Sequence, residues 1–228
     1  MVFQERRLPE RGIPAGYAAL IHAYGLNVPL PRALSAIGER HRIIEAGGWR
    51  IYTPRHAPDT SLEGHLVFAL KYEGIDLAVL KRLFLAVGAG PIEAIVKATP
   101  TGSYARRIWF LYEWLTGSRL DLPDADRGAY AEVVDPKQQY AVTGKTSSRH
   151  RVKNNLPGTP DFCPLIFRTE TLESFLAMDL HTRAQSAVAA VPRDLLARTA
   201  AFLLLKDSKS SFAIEGENCW LDPFGPPA

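Results

Sequence analysis

The chain has 228 residues, of which 46% are apolar and 22% are charged. This composition is ordinary for a globular protein and argues against general disorder, and the length suffices for one large domain or two small ones. The formal net charge of +3 is too small to indicate a nucleic-acid or membrane partner by itself.

The N-terminal segment predicts a cytoplasmic protein without a membrane anchor. Its first twelve residues lack the apolar stretch of a secretion signal, and no apolar run approaches the roughly 20 residues that a membrane span needs. The two cysteines, Cys163 and Cys219, form no CxxC pair and are expected to be free thiols. The six histidines are scattered, so no metal site is predicted.

The first elements in chain order are two short helices and a hairpin. Pro14 is expected to open a helix over residues 14–25, and a second short helix is predicted between Pro31 and Gly38. Two β-prone runs then flank Gly47-Gly48, which favours a hairpin at about residues 42–53.

Four short helices are predicted between residues 60 and 117. The last of them repeats large apolar side chains at helical spacing and is expected to be buried on that face. The expected starts are Asp59 or Thr60, Asp76, Pro91, and Thr101 or Ser103, and the expected ends are Gly74, Gly88 and Gly117.

A helix cluster of this kind raises the question of DNA recognition. A recognition helix presents Arg, Lys, Asn or Gln on its exposed face, whereas the third helix carries only Glu93 and Lys97. Plain packing is therefore favoured over DNA reading. Arg106 and Arg107, in the fourth helix, are expected on a solvated face.

The remaining chain changes from loop to helix. Residues 118–168 are rich in Pro, Gly, Asp and Ser and predict strands and ordered loops, with strands expected in AYAEVV and QQYAVT. Thr169 is expected to cap one long helix over residues 169–191. Pro192 then opens a final helix that ends at Gly216, and residues 218–228 predict an irregular tail.

The end of this last helix carries the most informative pattern, Ser211, Glu215 and Gly216 in the text SSFAIEGE. Ser211 and Glu215 are four residues apart and therefore share one helix face. A carboxylate is thereby placed at a helix end, just before a glycine stop, where it can meet a cation across an interface.

This pattern resembles the inhibitory motif S/T-x-x-x-E-G/N of Fic-family protein adenylyltransferases. The Leu- and Ala-rich helix before it, and the segments at residues 112–124 and 151–166, also look like the N-terminal region of long bacterial Fic proteins. The resemblance extends from about residue 14 to residue 217.

The resemblance implies a role for each motif residue. In the family, the glutamate pairs with a catalytic-loop arginine that would otherwise bind the terminal phosphate of ATP, so that the nucleotide, with its Mg²⁺, is badly aligned for transfer. Carried over, Glu215 is the inhibitory residue, and Ser211 and Gly216 complete its helix end.

The chain lacks the catalytic loop of the family, H-P-F-x-D/E-G-N-G-R. It is therefore expected to be inactive alone and to be a fragment, a truncated product, or a separate antitoxin-like inhibitor. Its expected partner is a Fic catalytic domain, in cis or in trans, and through it a target protein. Because that core is missing, the last helices are expected to expose apolar surface.

A basic run offers a different function. No acidic residue occurs between residues 136 and 160, so this segment could contact the phosphates of a nucleotide or nucleic acid, face a target protein, or form a plain solvated loop. Its cations are Lys137, Lys145, Arg149, Arg151 and Lys153, with His150 among them.

The sequence as a whole predicts an α+β, mostly helical fold. Its expected regions are 1–117, helical with one hairpin; 118–168, strands and loops; 169–217, helical and ending in the inhibitory helix; and the tail.

Overall fold

The computed structural model of the protein describes residues 2–3, 6–8, 12–189 and 191–216. The fold is α+β, with more helix than strand, as the sequence predicts. The chain divides into two compact units, Met1–Arg168 and Thr169–Ala228. The tail predicted at 218–228, with Cys219, lies outside the described residues.

The strands of the first unit are short and, in the part of the chain that the structure describes, form three small sheets. β1 pairs with β2, the second sheet has the order β3-β4-β6-β5, and the third has the order β7-β9-β8. The strands are β1 (Val2–Phe3), β2 (Arg6–Arg7), β3 (Ile13–Ala15), β4 (Leu34–Ile37), β5 (Ile44–Ala46), β6 (Trp49–Tyr52), β7 (Ala131–Glu132), β8 (Lys145–Ser147) and β9 (Val152–Asn154).

The helices of the first unit are α1 (Tyr17–Ala23), α2 (Leu62–Phe68), α3 (Leu77–Val87), α4 (Ala89–Ala98) and α5 (Ser103–Thr116). A 3₁₀ turn precedes α2 at Pro54–His56, and a π-helical turn, Ala69–Glu73, continues it. The second unit contains α6 (Glu170–Ala177), α7 (Leu180–Ala189) and α8 (Arg193–Ile214).

The predicted hairpin at residues 42–53 is confirmed. β5 and β6 pair antiparallel and are joined by two residues, with Ala46 opposite Trp49. Gly47 and Gly48 both have positive φ, 58° and 77°, which is the conformation of the two-residue turn that matches the twist of a hairpin.

The two short helices predicted before the hairpin are corrected by the structure. Pro14 lies in β3, and the helix begins only at Tyr17. The segment between Pro31 and Gly38 contains strand β4, which pairs antiparallel with β3 and parallel with β6. The Leu and Ala of this segment favour a helix locally, but the hydrogen bonds of two neighbouring strands outweigh that preference.

The helix boundaries between residues 60 and 117 follow the sequence closely. Asp76 caps α3 as predicted, since its Oδ1 accepts the N–H groups of Ala78 and Val79. For α2 the predicted cap is wrong: the Ser61 hydroxyl accepts the Gly64 N–H at 3.1 Å. α4 begins at Ala89, two residues before Pro91.

The core of the first unit lies between these helices and the four-stranded sheet. α5 supplies much of it, because Ile108, Leu111 and Tyr112 are buried, as the spacing of its apolar residues predicts. The core continues into the loop region through Val133 and Val152. Residues 118–168 therefore share one core with the helices that precede them.

Arg106 and Arg107 are not solvated as predicted, because they are 3% and 7% exposed. Each guanidinium donates to backbone carbonyls, Arg106 to Arg151 at 2.9 Å and Arg107 to Val133 at 2.9 Å. The error arises because α5 is covered on this face by the later loop region, which helical periodicity alone does not reveal.

The loop region forms one of its two predicted strands where expected and two further strands elsewhere. β7 lies within AYAEVV, as expected, but QQYAVT forms only an isolated bridge between Gln139 and Phe167. The basic segment supplies the other two strands, β8 and β9, which pair antiparallel.

The described residues of the second unit form three helices, because the single helix predicted at 169–191 is interrupted. Thr169 caps α6 as expected, its hydroxyl accepting the Leu172 N–H at 3.2 Å. Asp179 then adopts φ 45°, a left-handed conformation that ends the first helix before α7 begins. Pro192 precedes α8 and Gly216, with φ 73°, follows it, as the sequence predicts.

Candidate functional site

The predicted motif lies at the C-terminal end of α8. The Glu215 N–H donates to the Ser211 carbonyl at 3.1 Å, and the Gly216 N–H donates to the Ala213 carbonyl at 3.3 Å. Glu215 closes the helix with φ −78° and ψ −4°, and Gly216 leaves it in a left-handed conformation. Ser211 and Glu215 therefore lie one turn apart on one face, as their spacing predicts.

Glu215 is exposed, and its negative charge at this position does not stabilise the helix. The C-terminal end of a helix has a partial negative charge, which stabilises cations and opposes anions. The last turn of α8 contains no basic residue that would offset this repulsion. A carboxylate at this end is thus available to a cation supplied from elsewhere.

The helices leading to this end expose many apolar side chains, as the sequence predicts. Among the described residues of α6, α7 and α8 none is buried. On α8, Phe202 is 65% exposed, Leu204 is 68% exposed and Ile214 is 87% exposed. Phe202 and Leu204 are two positions apart and lie on opposite sides of the helix, so the exposed apolar side chains are spread around α8 and do not form one face.

The basic run places its central cation, Arg149, inside an ion-pair network of the first unit. Its Nη2 donates to Glu113 Oε1 at 2.9 Å and its Nη1 donates to Asp124 Oδ1 at 2.7 Å. Its guanidinium also lies 4.8 Å from the centre of the Trp109 ring. Hydrogen bonds to Glu113 raise the pKa of Arg149. The donors of Arg149 are therefore engaged within the chain.

Glu113 is the centre of this network. Its carboxylate accepts the Trp109 indole N–H at 2.8 Å, the Leu120 N–H at 2.9 Å, Arg149, and His150 Nε2 at 3.0 Å. Burial acts to raise the pKa of Glu113, but its hydrogen bonds, led by that from Arg149, outweigh it and hold the pKa at about 2. The ionised carboxylate thus joins α5 to the loop at 120 and to the turn at 149–150.

His150 links Glu113 to a serine hydroxyl. An ionised carboxylate can only accept, so His150 Nε2 carries the hydrogen, and Nδ1 accepts from Ser147 Oγ at 2.8 Å. The ring packs edge-on against Trp109 and Phe110, at 4.7 and 5.4 Å between ring centres. Burial lowers the pKa of His150. These contacts anchor the turn that carries Arg149 to helix α5.

The other cations of the run do not converge on one point. Lys145 lies opposite Asn154 and Lys153 lies opposite Thr146, so the two lysines point to different faces of the sheet. The Arg151 Nε donates to the Gly128 carbonyl at 2.7 Å, and Lys137 is exposed in the loop before the strands. Of the basic residues between 136 and 160, Arg149 and His150 therefore share a common partner, Glu113.

Sequence reasoning missed Glu113 because its partners Arg149 and His150 are 36 and 37 residues away. No local spacing signals such a cluster. Within the described ranges, no group of three or more His, Cys, Asp or Glu side chains is placed to hold a metal ion. None of the described helices is both long and apolar enough to cross a membrane.

Comparison with known proteins gives no relative for this arrangement. No protein-family model, curated protein or solved structure matches the chain.

Proposed function

We propose that this protein is a regulatory module of the Fic type, which presents the Glu215 carboxylate to an arginine of a Fic catalytic domain. The observation that carries the proposal is an exposed carboxylate on the residue that caps the C-terminal end of a long helix, just before a left-handed glycine, in the sequence pattern of the family's inhibitory motif. An arginine that is paired with the Glu215 carboxylate no longer binds the terminal phosphate of ATP.

The electrostatics of the helix end support this role. Glu215 lies where the helix dipole opposes a negative charge and where the last turn of α8 holds no basic side chain. An arginine from a partner would form a charge-assisted pair with it, and such hydrogen bonds contribute about 1.5–3 kcal/mol. The carboxylate is therefore better satisfied in a complex than in this chain.

The apolar surface of α8 supports the same role. Leu204 lies eleven residues, or about three turns, before Glu215 and therefore on the same side of α8, so it would lose its contact with water if that side packed against a catalytic domain. That domain belongs to the same polypeptide in one form of the proposal and to a separate chain, as in antitoxin-like inhibitors, in the other. Both forms use the same helix and the same carboxylate.

The second candidate, phosphate or nucleic-acid binding by the basic run, has less support. Arg149 is engaged by Glu113 and Asp124, and Lys145 and Lys153 point to different faces of their sheet. Retention on DNA or RNA at about 50 mM salt, with affinity that falls steeply as salt increases, would favour this candidate.

The test of the proposal measures AMP transfer by a Fic catalytic domain that is mixed with this protein or joined to it. We expect the wild-type chain to inhibit transfer, and Glu215→Gln to reduce the inhibition by roughly 10- to 100-fold, because the pair with arginine is lost. Glu215→Gly should reduce the inhibition further.

Asp207→Asn is the matched control, since it removes one exposed charge from the same helix about two turns earlier. It should inhibit as well as the wild type does. Equal inhibition by the wild type and by the Glu215 variants, or no inhibition by any of them, would refute the proposal.

A further inference from the structure

The first unit contains a buried carboxyl group, that of Glu73, at the end of the π-helical turn after α2. Glu73 Oε2 accepts the N–H of Tyr17, the first residue of α1, at 2.8 Å. Glu73 Oε1 is also buried and has no hydrogen-bond partner among the described residues. Single π-helical turns inside helices often occur at functional positions.

The backbone of Gly16 makes room for this carboxyl group. Gly16 has φ 58° and ψ −133°, a conformation that side chains with a Cβ disfavour. A Cβ at this position would overlap Glu73 Oε2 and would lie 2.8 Å from a ring carbon of Phe68. The junction between β3 and α1 is therefore shaped around the carboxyl group.

Two further side chains form hydrogen bonds that hold the same junction. The Tyr17 hydroxyl donates to the Gly74 carbonyl at 2.9 Å and accepts the Asp76 N–H at 3.1 Å. The Gln139 amide bonds both the N–H and the carbonyl of Ile75, at 2.8 and 3.0 Å. Residues 73–76 are thus held to α1 by Glu73 and Tyr17 and to the loop region by Gln139.

The groups that face Glu73 come from every neighbouring element. Burial is the largest influence and raises the pKa of Glu73 to about 7; the Tyr17 N–H and Ser35 lower it, Asp76 raises it, and Arg50 lowers it. Burial raises the pKa of Tyr52; Arg50 acts to lower it, and Glu73 adds a smaller increase. Arg50, for its part, donates to the exposed Glu45 at 2.6 Å.

We propose that Glu73 is a proton-dependent latch: its protonated carboxyl group holds the β3–α1 junction against residues 73–76, and loss of the proton loosens that joint. A neutral carboxyl group fits the buried location between Gly16 and Phe68. A charged one would be held only by the Tyr17 N–H and the nearby Ser35 hydroxyl, without the hydration that water provides, and this favours its withdrawal from the buried location.

The sign of the pH effect follows from the raised pKa. The unfolded or opened chain has the ordinary value near 4.5, and the closed joint has the value of about 7. The contribution of Glu73 to the stability of the closed joint is therefore fully present below about pH 4.5 and is lost as the pH rises through about 7. This inference does not depend on the proposed function.

Hydrogen exchange of the whole protein between pH 4.5 and 8.5, corrected for the intrinsic pH dependence of exchange, tests the latch. We expect protection of the amides at 17–18 and 75–76 to fall roughly 40-fold between pH 5 and pH 7 and to level off above about pH 8. In Glu73→Gln this dependence should vanish, because glutamine carries no proton that is lost in this range.

Glu132→Gln, which alters an exposed carboxyl group on β7, is the control and should keep the wild-type dependence. An unchanged pH dependence in Glu73→Gln would overturn the inference. If that variant does not fold, a carbon-13 NMR titration of Glu73 in the wild type decides instead: a midpoint near 7 supports the latch and one near 4.5 overturns it.

Discussion

Glu113→Ala is expected to lower the free energy of unfolding of the first unit by about 3–5 kcal/mol. The substitution leaves the Arg149 guanidinium, which is 13% exposed, without its main carboxylate partner. It also leaves the Trp109 indole N–H, the Leu120 N–H and His150 Nε2 without an acceptor. Removing one member of a buried charged network costs more than the pair contributes, because the other charge stays buried.

Urea unfolding at pH 7, followed by tryptophan fluorescence, measures this effect. Asp126→Ala is the control, since it removes a carboxylate whose side chain is 82% exposed, and it should change stability by less than about 0.5 kcal/mol. Equal effects of the two substitutions would mean that the network does not stabilise the fold.

The same network predicts an acid dependence. The pKa of Glu113 is depressed to about 2, so its stabilising contribution is present above about pH 4.5 and is lost as the pH falls towards 2. Wild-type protein should therefore lose stability in this range more steeply than Glu113→Ala does.

Gly16→Ala is expected to destabilise the first unit by about 3 kcal/mol. One part of the cost is backbone strain, since Gly16 has φ 58° and ψ −133°. The other part arises because the new Cβ displaces the Glu73 carboxyl group from the Tyr17 N–H. Both costs act at the junction between β3 and α1.

Thermal and urea unfolding of Gly16→Ala should be compared with those of Gly90→Ala. Gly90 lies in the first turn of α4, where an added Cβ would meet no atom within 4 Å apart from those of its chain neighbours and of the helix's own backbone. The helix preference of alanine is opposed there by contact of its Cβ with the Pro91 ring, so Gly90→Ala is expected to change stability by less than about 1 kcal/mol. Gly16→Ala should therefore be clearly the more destabilising of the two. Destabilisation of the same size at both positions would contradict the role given to Gly16.

Only part of the candidate sites could be predicted from the sequence. The C-terminal end of α8 was predictable, because Pro192 marks the start of that helix and Gly216 marks its end. The four-residue spacing between Ser211 and Glu215 can likewise be seen in the sequence without knowledge of distant contacts. Glu73 and Glu113 were not predictable, since their surroundings come from partners tens of residues away.

The amino-acid sequence alone determined the features that depend on neighbouring residues: the Gly47-Gly48 hairpin turn, the Asp76 cap of α3, and the boundaries of α8. Their causes are local backbone preferences and hydrogen bonds within a few residues.

Tertiary structure alone decided that Leu34–Ile37 forms a strand and that Arg106 and Arg107 are buried. In each case the segment gains hydrogen bonds from distant parts of the chain: β4 from β3 and β6, and the two arginines from carbonyls of Arg151 and Val133. Such long-range contacts outweigh local propensities of a few tenths of a kcal/mol per residue.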